Sequence, residues 1–118
     1  MVIHGKERNF LLTVGASAEI AELCPDGDIT RLGELLTQNN SGKQLRSIAK
    51  VIAALSRGYE SSRKYEEPGY EPSPLTADEI LTLTMEELTQ LRDEAFDKFV
   101  QDSKPTVEVE PSKKNSKK

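Results

Sequence analysis

The sequence predicts an α+β fold: an N-terminal β-hairpin packed on a small bundle of four or five helices, then a disordered C-terminal tail. Three observations lead there. Residues 2–14 place apolar side chains on one face of two extended runs joined by a glycine turn. Several later stretches carry apolar residues at three- and four-residue steps. After Asp102 bulky apolar residues almost vanish and lysines gather. At 118 residues there is room for one domain, set at 1–101, with 102–118 as the tail.

Composition narrows the function classes. The hydrophobic fraction is 36% and charged residues make up 31%, which implies a modest core and a sizeable unfolded fraction. Aromatic residues are only 5% and tryptophan is absent, so the core must rest on Leu, Ile, Val and Ala. A formal net charge of −4 argues against non-specific nucleic-acid binding, which needs lysine and arginine to displace counterions. The lone cysteine, Cys24, excludes an internal disulfide and fits a reducing, cytosolic compartment. No apolar run approaches the roughly 20 residues of a membrane helix. The start, MVIHGKERNF, lacks a secretory signal's apolar stretch, so a soluble protein inside the cell is expected.

In the hairpin, Gly5 supplies the positive φ of a two-residue turn, either His4-Gly5 or Gly5-Lys6. Both registers leave Ile3 on the same face as Phe10, Leu12 and Val14. Gly15 ends the strand, and Ser17 caps a short helix over 18–23. Pro25 and Gly27 break it, and Asp28 caps a second helix with Ile29, Leu32, Leu35 and Leu36 on one stripe. A third helix, 43–57, carries Leu45, Ile48, Ala49, Ile52 and Leu55 and is expected at the centre of the core. Gly58 stands where a left-handed C-terminal cap belongs.

Residues 59–75 hold three tyrosines and three prolines with no clean period, predicting a frayed helix and then an extended loop. Thr76 and Glu79 form a capping box for a short helix to about residue 83. Thr84 and Glu87 form another, opening a helix to about residue 101 with a narrow stripe of Leu88, Leu91, Ala95 and Phe99.

No constellation of reactive side chains emerges: no catalytic, cofactor-binding or metal-binding residue is assigned. Asp26, Asp28 and Thr30 mimic the start of a calcium loop, but Arg31 replaces its glycine and Thr37 its final glutamate. Ser47 and Lys50 match S-x-x-K without its partner motifs. His4 and Cys24 are single and distant in sequence, short of any zinc set. The candidate partner-binding residues are Tyr59, Tyr65 and Tyr70, with Leu88, Leu91 and Phe99 of the last helix. The lysine-rich end, with Lys113, Lys114, Lys117 and Lys118, is a further candidate contact for an acidic partner.

The run TVGASAEIAELCPDGDITRLGELL, the G-K-x-x-x-F hairpin before it and EEPGYEPSPLT resemble the tail assembly chaperones of long-tailed phages and prophages infecting Gram-positive bacteria. The closing PTVEVEPSKK is similar to the ends of such proteins, and the likeness spans residues 2–114. It implies a chaperone that coats the tape-measure protein and helps recruit the major tail protein. It also implies a place in the host cytoplasm, absence from the mature virion and no catalytic residue to carry over. Self-association stays open. Two rival expectations are a small head–tail or tail-completion protein, and a nucleic-acid-binding regulator using Lys43, Arg46, Lys50 and Arg57. Many family members are extended by a programmed frameshift. Here the Lys-Lys pairs at 113–114 and 117–118 fit an adenine-rich slippery stretch. An overlapping frame after an adenine run in the gene is the expected observation.

Overall fold

A computed structural model describes residues 1–103 of the chain. It is mostly helical, with a short two-stranded hairpin at the N-terminus. Of the expected tail, 102–118, residues 104–118 lie outside the described residues.

Strands β1 (Val2–Ile3) and β2 (Lys6–Glu7) pair antiparallel with Val2 opposite Glu7 and Ile3 opposite Lys6. The turn is His4-Gly5, both at positive φ (50° and 83°), as a primed two-residue hairpin requires. The ladder is far shorter than the expected 2–14. The Arg8 amide still donates to the Met1 carbonyl at 2.8 Å; past it the chain lies on a helix instead, where the Leu11 amide donates to the Leu55 carbonyl at 3.1 Å. Ile3 and Phe10 are buried as expected and Leu12 is half-buried, but Val14 is 88% exposed. The reason is local. Thr13, not Ser17, is the cap: its side chain accepts from the Ala16 amide, so helix α1 (Val14–Leu23) already begins at Val14.

Two 3-10 turns follow, Pro25–Gly27 and Ile29–Arg31, leading into the short helix α2 (Leu32–Leu36). The acids of the calcium-like stretch are engaged locally. Asp28 accepts from the Thr30 amide and hydroxyl, at 3.0 and 2.6 Å, and Asp26 accepts from Arg31 at 2.5 Å.

Asn40 caps helix α3 (Ser41–Glu66), a rod of about 39 Å at 1.5 Å per residue. It is the hub on which α1, α2 and the two later helices all pack. Residues 51–56 are consecutively buried and 51–55 are all apolar, so the rod is apolar around its whole circumference there and must be surrounded. Gly58 does not end it. The helix runs straight through, and the glycine serves close approach: a Cβ there would lie 2.3 Å from the Leu11 carbonyl oxygen. What was read as a stop is a crossing point for residues 9–13.

The chain then returns along α3. The Leu75 amide donates to Ser56 Oγ at 2.8 Å and the fully buried Leu75 enters the core. The Thr76–Glu79 capping box forms as expected and starts α4 (Ala77–Ile80), shorter than predicted. Thr84 and Glu87 also bond reciprocally, opening α5 (Met85–Ser103). This helix exceeds the expected boundary of 101. Asp102, assigned to the tail by sequence, accepts from the Leu12 amide at 3.0 Å and from Lys98 at 2.8 Å. Among the described residues, no helix is long and apolar enough to cross a membrane.

Glycine in a helix interior ordinarily costs about 1 kcal/mol against alanine. At position 58 the sign is expected to reverse, with Gly58→Ala losing about 3 kcal/mol because Leu11 must move. Gly33→Ala in α2, with no atom within 4 Å of the new methyl, is expected to gain about 0.5 kcal/mol. Urea unfolding of both variants checks the pair.

Candidate functional site

The sequence-selected residues separate into three groups. Leu88 and Leu91 of α5 are buried in the core, Leu91 completely. They are withdrawn as partner-binding residues, because the stripe that would face a client faces α3. Phe99 is half-buried at the far end of α5, beside Leu12, Val14 and Ile29 in a shallow hollow. Tyr65 is 89% exposed above Pro68 and Pro72.

Tyr59 and Tyr70 belong to a polar cluster. The Arg63 guanidinium lies 4.7 Å from the Tyr70 ring centroid and 5.9 Å from that of Tyr59. Its Nη1 also donates to the Tyr59 hydroxyl at 3.1 Å, and it pairs with Glu67 one turn on. Behind them the buried Glu60 carboxylate accepts from the Tyr70 hydroxyl at 2.7 Å and the Ser73 amide at 2.8 Å. Burial pushes the Glu60 pKa up. The two hydrogen bonds and the charges of Lys6 and Arg8 outweigh it and hold the acid below its ordinary value. The same bond to Glu60 raises the Tyr70 phenol. Arg8 is buried nearby and donates to the Ser73 carbonyl, while its Nε has no partner. The cluster clips the proline-rich return segment and the end of the hairpin to α3.

Beside it lies an open groove of about 480 Å³ between α3 and α5. Residues 9–12 run between the two helices, bonded to Leu55 on one and Asp102 on the other, and contribute Phe10 and Leu11 to the lining. Tyr59, Arg63 and Glu66 line the α3 side, and Glu94, Asp97, Lys98 and Gln101 the α5 side. Glu94 is bound to the Met1 amine at 2.8 Å. Of these, only Tyr59 was singled out from sequence. The rest sit at helical steps (59, 63, 66 and 94, 97, 98, 101), a pattern that reads as a solvated face until a second helix is placed opposite.

Apolar side chains below charged walls suit recognition of a helix or extended peptide. The nucleic-acid expectation finds less support. Lys43, Arg46 and Lys50 are exposed, but Arg57 is tied to Glu19, with its Nε 2.8 Å from the carboxylate. Of the S-x-x-K pair, the Ser47 hydroxyl lies 3.4 Å from Gln38 Nε2 and Lys50 points to solvent. No family model, curated protein or solved structure matches this chain.

A folded-state pKa below the unfolded value of about 4.3 means that Glu60 stabilises the fold above that pH. The contribution is lost as pH falls through the folded value. Glu60→Gln is therefore expected to cost about 2 kcal/mol at neutral pH, a gap that narrows in the acid range below the unfolded pKa. Urea titrations at neutral pH and near pH 3 check both halves of the statement.

Proposed function

We propose that this chain is a tail assembly chaperone of a long-tailed phage or prophage of Gram-positive bacteria. It keeps the tape-measure protein soluble and passes it to the polymerising major tail protein. It acts in the host cytoplasm and leaves before the virion is complete. The observation that carries the reading is the α3–α5 groove, which presents Leu11 and Tyr59 between polar walls. A long helical client exposes amphipathic turns before assembly, and such turns dock by their apolar positions into a groove between helices. The sequence likeness over TVGASAEIAELCPDGDITRLGELL and EEPGYEPSPLT supports the same reading. The client contact is placed on the groove rather than on Leu88 and Leu91, which the core consumes.

Co-expression with the neighbouring tape-measure gene tests it. The intact chain is expected to keep that product in the soluble fraction; persistent precipitation would remove the assignment. Gln101→Trp places a bulky ring on the exposed α5 wall, so it is expected to abolish the rescue while shifting unfolding by no more than about 0.5 kcal/mol. Finding the chain in purified particles would replace the chaperone reading by a structural one.

A further inference from the structure

Charges around the groove are unequally engaged. Its cations are committed to acids on their own helices: Arg63 to Glu67, with Tyr70 stacked on it, and Lys98 to Asp102. The exposed acids Glu66, on the α3 side of the opening, and Asp97, on the α5 side, have no ion-pair partner among the described residues. The wider field has the same sign. The full chain carries a formal net charge of −4. We infer that the groove takes an amphipathic helix whose apolar stripe is flanked by lysine or arginine. The inference rests on the docking reading above and adds the partner's charge.

Geometry sets the footprint. The α5 wall runs from Glu94 to Gln101, about 10 Å or two helical turns. Apolar residues at i, i+3, i+4 and i+7 of the incoming helix would reach Leu11 and Tyr59, and flanking cations would meet Glu66 on one side and Asp97 on the other. Rim charges of this kind act chiefly on association rate and on the choice between partners. An acidic helix with the same stripe would meet a chain of net charge −4 and be disfavoured.

Two synthetic peptides with one leucine stripe, lysine-flanked in the first and glutamate-flanked in the second, test this on the full chain by amide NMR titration. The lysine peptide is expected to bind about tenfold tighter at low salt, with the preference shrinking as salt rises. Shifts should gather at residues 59–66 and 94–101. Glu66→Lys combined with Asp97→Lys should reverse the preference without altering amides elsewhere. Equal affinities overturn the inference, as do shifts confined to the Leu12–Phe99 hollow. A groove already filled by the chain's own lysine-rich terminus or by a second copy leaves both peptides unbound, and that also overturns it. Failure here with intact tape-measure rescue removes only the partner's charge. Lysine-peptide binding without rescue removes only the chaperone assignment.

Discussion

Residues 51–56 of α3 are buried on every side, and a helix apolar around its circumference is stable in water only if other segments enclose it. That demand organises the molecule. α1 and α2 pack on the rod before the chain turns back, and α4 and α5 pack on it afterwards. Past Arg8, whose amide still bonds the Met1 carbonyl, the N-terminal segment gives the Leu11 amide to the helix itself. Gly58 makes that approach sterically possible, since a side chain there would occupy the position of the Leu11 carbonyl.

Enclosure also creates the groove. Residues 9–12 hold Phe10 in the core and bridge to α5 through Asp102, leaving a groove between α3 and α5 with Leu11 in its lining. The neighbouring polar cluster keeps this arrangement in register. Glu60, buried on α3, fastens Tyr70 and Ser73 of the return segment, and Arg8 reaches the same Ser73 from the hairpin side. A carboxylate buried among these donors stays ionised because they favour its charged form. Tyr70 in turn lies against Arg63 on the groove wall. Core, clasp and groove thus draw on consecutive turns of one helix.

Much of this was legible locally. Both threonine–glutamate capping boxes are short-range devices, with donors and acceptors three residues apart, and each appears where the sequence places it. The helical stripe of residues 45–55 marks the central rod for the same reason. Misreadings fell where local chemistry admits two answers. A glycine after a helical run satisfies a C-cap as well as a close crossing, and only the arrival of Leu11 chooses. Thr13 and Ser17 are both competent caps, and docking of residues 8–13 on α3 favours the earlier one. Leu88 and Leu91 form a stripe equally suited to a core or to a client, and α3 claims it.

The sequence by itself determined the chain's helical character, the presence of an N-terminal hairpin, the two threonine–glutamate capping boxes and the central helix, because each depends on side chains a few residues apart. Tertiary structure alone decided which apolar stripe is consumed and where an open groove remains. Those outcomes depend on surfaces brought together from residues 9–12, 59–66 and 94–102, and no local rule specifies which segment reaches a hydrophobic rod first.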